Sequence, residues 1–222
     1  MKRLSVLFAT LTLAAAASVL AQGTAQTPPA SPAAAAPRPQ RPALGPNQWL
    51  VDSAHTAAQF SVKHMMVSTV RGTLGRVTGT VEYDGKSVES IKADIAIDVQ
   101  GINTGNEGRD NDLRSAAFFD VATYPTATFK SKRVEPGAGG RFRLVGDLTI
   151  HGVTKEVTLD VEGPSAAIKV QNGTLKVGAS ATTRVNRRDF GLNYNRMIEA
   201  GQVVGEDIQI TIDIELNKPP SA

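Results

Sequence analysis

Three histidines are the first side chains to weigh for chemistry: His55, His64 and His151. Three imidazoles can hold zinc and leave a fourth position open to water. These three stand on separate segments, and no His-Glu-x-x-His spacing accompanies them. No metal site is expected. His151 precedes Gly152, where its ring is expected to bond to the backbone of a turn. His55 is read the same way near the start of a strand. His64, beside Met65, is placed at the mouth of a cavity, where an imidazole would meet a polar head group. Asp110 and Asp112 stand two residues apart on an expected helix, so they do not face each other as acid and base. Gly178-Ala179-Ser180 lacks the final glycine of a nucleophile elbow. No Gly-x-x-x-x-Gly-Lys-Ser/Thr phosphate loop occurs either. Neither catalysis nor a cofactor is expected.

The arginines offer a different chemistry. A guanidinium takes phosphate through paired hydrogen bonds. Arg71 and Arg114 therefore join His64 as head-group candidates, with Arg109 close behind. The competing reading pairs Arg109 or Arg114 with Asp110, Asp112 or Asp120 and uses the pair to fix a helix in place. Arg187 and Arg188 read as outer charges or local salt bridges.

The apolar candidates are Phe60, Val62, Met65, Met66, Phe118, Phe119 and Phe129, with Ile95, Ile97, Ile210 and Ile212. Methionine adapts to varied shapes, which suits a flexible tail. Each of these residues is also ordinary core material. Their meaning depends on whether the elements that carry them enclose a hollow or a filled interior.

Those elements are strands. Ile91, Ala93, Ile95, Ile97 and Val99 alternate with Lys92, Asp94 and Asp98. Ile208, Ile210, Ile212, Ile214 and Leu216 alternate with Asp207, Gln209, Thr211, Asp213 and Glu215. Similar alternation recurs around Phe142–Ile150, Val157–Val161 and Leu175–Ala181. One buried face and one wet face is the mark of antiparallel sheet. Asp84-Gly85, Pro136-Gly137, Gly139-Gly140, Gly152 and Asn172-Gly173 supply the turns. Strands are expected near 48–52, 55–63, 76–83, 90–100, 125–134, 141–150, 155–162, 174–184 and 205–216, some of them merging. A short helix is expected from Asn106 towards Phe119. A second short helix or turn is placed over Met65–Val70. The fold class is all-β, an antiparallel closed barrel of about eight strands with one or two short helices. Alternation alone leaves open whether the interior holds a ligand or is filled, as in a stress-related interaction module.

The rest of the chain bounds its setting. Met1-Lys2-Arg3 precedes an uncharged apolar run from Leu4 to Leu20. This reads as a signal peptide over 1–21, cleaved after Ala21. Residues 22–46, rich in Pro and Ala, read as a linker that cannot bury enough surface to fold. The barrel is placed at 47–217, with a tail at 218–222. Net charge is +3, two units of which belong to the leader. No basic stripe suggests nucleic acid, and no stable membrane span is expected once the signal is removed. There is no cysteine, so disulfides and thiolate metal sites are excluded. The setting is expected to be periplasmic, with secretion the alternative. A homodimer is compatible with the sequence.

Several stretches resemble the YceI-like family of polyisoprenoid-binding proteins. They are Trp49-Leu50-Val51-Asp52 with His55-Thr56 and Phe60-Ser61-Val62-Lys63-His64-Met65, then Val70-Arg71-Gly72. The run Arg109-Asp110-Asn111-Asp112-Leu113-Arg114-Ser115 follows, with Phe118-Phe119-Asp120 and Tyr124-Pro125. Gly146–Lys155, Asn186-Arg187 and Asp189-Phe190-Gly191 complete the set. The resemblance spans residues 47 to 216. It implies a lipocalin-like barrel, often periplasmic, around a long isoprenoid or related lipid. One departure is Asp112, where many relatives have His. That weakens any role for a histidine at this point.

Overall fold

The computed structural model describes residues 44–194, 197–198 and 201–220. The expected signal segment and residues 22–43 of the linker lie outside the described residues. Ala43–Ala222 forms a compact unit by itself.

The strands are β1 (Gln48–Val51), β2 (Ala57–His64), β3 (Ser68–Thr73), β4 (Arg76–Glu82) and β5 (Lys92–Asp98), followed by the helix α1 (Glu107–Arg114). Then come β6 (Thr126–Pro136), β7 (Arg141–Ile150), β8 (Val153–Glu162), β9 (Ile168–Lys169), β10 (Leu175–Asn186), β11 (Met197–Ile198), β12 (Gly201–Gln202) and β13 (Val204–Lys218). All pairings in the main sheet are antiparallel, and neighbours run β1-β4-β5-β6-β7-β8-β10. The sheet closes where β10 meets β13, from Leu175↔Lys218 to Asn186↔Asp207. On its other edge β13 holds β2 and β1 end to end. β1 with β2, and β3 with β4, each make one broken wall strand. The result is a closed barrel of eight strand positions, in which β3 pairs along its length with β2 alone and on its other side has the single bridge Thr73↔Asn103.

One expected element is different. Met65–Val70 is neither helix nor turn throughout. His64 O accepts from Val67 N–H (3.0 Å), and the chain then returns as β3, paired with β2 from His64↔Ser68 to Gln59↔Thr73. Thr69, Val70 and Thr73 are β-branched and fit a pleated wall better than a helix. β13 also runs one residue past the expected barrel end, to Lys218.

The helix lies where expected. Asn106 caps it, its side chain accepting from Arg109 N–H (3.0 Å). Buried Asp110 accepts from the backbone N–H (2.8 Å) and hydroxyl (2.5 Å) of Thr104. Arg114 donates to the carbonyls of Gln100 (3.0 Å) and Ile102 (3.2 Å). These bonds lock the 99–125 segment over one end of the barrel, called here the helix end. Ile102 beneath it is wholly buried. The opposite end gathers the β4–β5 and β6–β7 loops and both ends of the described chain.

Gly146 shows how closely the wall is packed. A Cβ there would meet Lys130 O at 2.4 Å and the Phe129 ring at 2.7 Å. The Phe129 ring lies over the bare glycine backbone. Gly146→Ala is expected to cost about 2 kcal/mol through this overpacking. The midpoint of urea unfolding will measure it.

Candidate functional site

Inward-facing rows of the barrel wall surround an internal apolar cavity of about 140 Å³. That is below the roughly 300–1,000 Å³ usual for small-molecule sites, so a long ligand fills it with part of its length or widens it on entry. The register builds the lining across strands. Phe142 pairs with Val161, Val161 with Ala181, Ala181 with Ile212 and Ile212 with Ala58. On the other side Ile95 pairs with Phe129, and Phe129 with Leu148. All of these line the cavity. Residues paired directly across a ladder share a face, so period-two alternation in each strand becomes a continuous apolar surface.

Among the described residues no charged side chain lines the cavity, and its walls present only apolar atoms. Tyr83, Ser180 and Thr183 are the polar residues of the lining, but Ser180, paired with Asp213 and Glu162, turns its hydroxyl to the outer face. The Thr183 hydroxyl donates to Thr158 O across the β8–β10 seam (2.8 Å). Here the ladder itself pairs only Ser180, Ala181 and Thr182 with β8. Tyr83 O accepts from the Trp49 indole N–H (2.9 Å), which holds the Tyr83 loop against the barrel. Burial, assisted by the nearby charge of Asp84, raises the pKa of the Tyr83 phenol, so it stays a neutral donor.

The residues singled out from the sequence fall into three groups. Ile95, Ile97, Phe129, Ile210 and Ile212 line the cavity. Phe60 is buried in the adjoining position, paired with Ile210 and close to Gly72. Val62, His64, Met65, Met66 and Arg71 belong to the β2–β3 hairpin. Val62 and His64 are half-buried, whereas Met65, Met66 and Arg71 are exposed. Phe118, Phe119 and Arg114 belong to the segment covering the helix end. Phe119 packs against the core, and Phe118 stacks on Tyr194 with centroids 4.5 Å apart. The Arg114 guanidinium also donates to Asn111 Oδ1 (2.8 Å). Its role as a clamp is thus visible, though its partners are carbonyls and an amide rather than the expected aspartates. Arg109 likewise donates to the Thr104 hydroxyl and carbonyl.

Arg187 corrects the sequence reading. It is not an outer charge: it is 3% exposed and donates to the carbonyls of Gly205 (2.9 Å), Val204 (3.3 Å) and Leu192. Burial lowers its pKa. Arg188 is the surface member, paired with Glu206 at 2.9 Å. The readings of His151 and His55 change too. His151 meets the Tyr124 ring edge-on with centroids 4.7 Å apart. His55 Nδ1 bonds Asp52 at 3.0 Å.

Among the described residues, Asp52, His55 and Glu215 form the one group close enough to share a cation. Lys176 already supplies the charge, its ammonium lying 3.3 Å from Asp52 and in contact with Glu215. Hydrogen bonds from Asn217, His55 and Lys176 hold the Asp52 carboxyl well below the usual carboxylate range. A depressed folded-state pKa contributes stability above the unfolded pKa, and this is lost as pH falls through the folded value. Asp52→Asn is therefore expected to cost about 1–2 kcal/mol near neutral pH, because the partially exposed pair is screened. The difference from the parent should vanish in strong acid. Urea unfolding across the acid range will check both sign and window.

The fold and the void define a class: closed antiparallel barrels that surround an internal apolar cavity. Within that class the chain belongs to the YceI-like domain family, whose model matches residues 49–216. A UPF0312 protein of Staphylococcus aureus (strain N315) is 36% identical over 167 residues, covering 75% of this chain and 95% of the relative. The crystal structure of a Campylobacter jejuni YceI protein superposes with a TM-score of 0.61 at 31% identity, covering 71% of this chain and 90% of that one. A polyisoprenoid binding domain from Saccharophagus degradans, implicated in plant cell wall breakdown, shares the fold at 17% identity and a TM-score of 0.56, covering 77% of this chain and 98% of that one.

Proposed function

We propose that this protein is a non-catalytic carrier that holds a long-chain isoprenoid or similar amphiphile inside the barrel after export to the periplasm. The observation that carries the reading is the charge-free lining contributed by strands all around the wall. Ions and small polar substrates gain nothing there, whereas a hydrocarbon tail does. The S. degradans domain of the same fold, by its description a polyisoprenoid binding domain, supports the choice of ligand class. The N-terminal basic start and apolar run support export.

Energetics favour exchange over permanent capture. A tail of about forty carbons at ~0.8 kcal/mol each would gain on the order of 30 kcal/mol from water. Non-covalent affinity saturates near about 20 kcal/mol, so ordering the tail and incomplete burial consume part of the gain. A bilayer offers the tail an equally apolar home, which leaves transfer between membrane and barrel nearly balanced. The void presents only apolar atoms, so the head group is held outside it. His64 and Arg71 serve the polar end of a longer ligand that emerges by the hairpin.

Native mass spectrometry of the protein as purified, followed by organic extraction, tests the reading. A stoichiometric prenyl lipid is expected. An apo mass that stays unchanged after incubation with prenyl lipids of several lengths would overturn it and favour a barrel that acts without a lipid.

A further inference from the structure

The tip of the β2–β3 hairpin is built against its own interest. Met65, Met66 and Val67 are consecutive and 38%, 57% and 86% exposed. Met65 and Met66 both have positive φ, 50° and 57°. Two successive residues in that region form a type I′ turn, which favours Asn-Gly because larger side chains are strained there. The chain thus bears backbone strain at Met65 and Met66 and exposed apolar surface at these two and Val67. The tip is tied to the barrel by the Met65 N–H bond to Val203 O (2.9 Å) and by Met66 Cε beside Gly205, yet Val67 and much of Met66 stay uncovered. An observed strained site of this kind points to a function outside the fold.

The surroundings specify the partner. From Ala57 to Thr73 the hairpin carries Lys63, His64 and Arg71 and no acidic residue. Lys63 and Arg71 are both exposed. They share the outer face, since Arg71 pairs with Ser61 and Lys63 with Thr69. Glu206 on the neighbouring β13 is engaged by Arg188. The inner face of the hairpin is apolar and continuous with the cavity wall. Ala58 lines the cavity, Phe60 follows, paired with Ile210, and then Val62, paired with Ile208. Asp207 of β13 is the exposed acid at this end of the same outer face, which leaves a net positive charge there. An apolar tip flanked by Lys63 and Arg71 and backed by an apolar row matches a bilayer with anionic head groups.

We infer that the Met65–Val67 tip of the β2–β3 hairpin inserts into the surface of anionic lipid bilayers and docks the barrel there. The inference is independent of the cargo, because docking requires no prenyl lipid in the membrane or in the barrel.

The test uses residues 43–222, the compact barrel unit, so that the apolar N-terminal run does not contribute. Cosedimentation is measured with vesicles of phosphatidylethanolamine and phosphatidylglycerol, and with vesicles of phosphatidylcholine alone. The parent is expected to bind the anionic vesicles more tightly. Combined Met65→Asn, Met66→Gly and Val67→Thr restores a favourable I′ turn, so the variant should melt at or above the parent's temperature. Its vesicle affinity should fall about tenfold or more, because the inserted apolar groups are gone. Lys63→Glu with Arg71→Glu should remove the preference for anionic vesicles. A parent that ignores both vesicle types, or a folded tip variant that binds as the parent does, would overturn the inference. So would parent dimers that the tip variant abolishes in the absence of any vesicle binding, since the tip would then be a contact between two barrels.

Discussion

An Ala181→Phe barrel is expected to fold and to bind a prenyl lipid about a hundredfold more weakly than the parent. Ala181 lies in β10 at the centre of the row Phe142–Val161–Ala181–Ile212–Ala58. Its side chain faces the void, so a phenyl group there enters empty space instead of compressing a filled core. The ring would displace roughly three methylene groups of a tail at ~0.8 kcal/mol each, about 2.5 kcal/mol or nearly a hundredfold in affinity. Titration with a fluorescent prenyl analogue will measure the loss, and thermal unfolding will show that the barrel is kept. A variant that binds as well as the parent would mean that the tail does not occupy this row. A barrel that instead unfolds would mean that its interior is closed to additional volume.

Arg187→Ala is expected to lower stability by about 3–5 kcal/mol, the largest effect of any single change considered. The guanidinium satisfies three carbonyls, from Leu192, Val204 and Gly205. It thereby fastens the connection between β10 and β13 at the helix end. Removing it leaves buried acceptors unpaired. Arg187→Lys should rescue little, because an ammonium cannot reproduce the planar fork. Arg188→Ala, which breaks a surface pair, should cost less than about 1 kcal/mol. Urea unfolding ranks the three variants. Hydrogen exchange should show that the loss in Arg187→Ala is concentrated around residues 187–194 and the start of β13.

Much of this architecture is written in the period of the side chains. The alternation in 91–99 and 208–216 places Ile95, Ile97, Ile210 and Ile212 on one face, and that face lines the cavity. The helix start is equally legible, since Asn106 is a strong capping residue before a run that does not alternate. The hairpin strand β3 was obscured because the turn before it uses two methionines instead of Asn-Gly, so the usual punctuation is missing. Arg187 was unreadable for another reason. Its partners are backbone carbonyls, which leave no trace in the identity of the residues that supply them. Tyr83 and Thr183 were missed because a lone polar residue next to a turn or within a strand looks like its many exposed counterparts. Only closure of the barrel makes them part of its lining.

β13 is the last strand in the chain, yet it borders β10 along twelve pairs and also holds β1 and β2. Its pairing of Leu50 with Asn217 links the two extremes of the domain. The cylinder therefore cannot shut until β13 has left the ribosome. Contacts of such sequence separation are slow to form. A growing chain stays open, and so threadable through a narrow pore, until β13 has been made and the wall can close around its hollow.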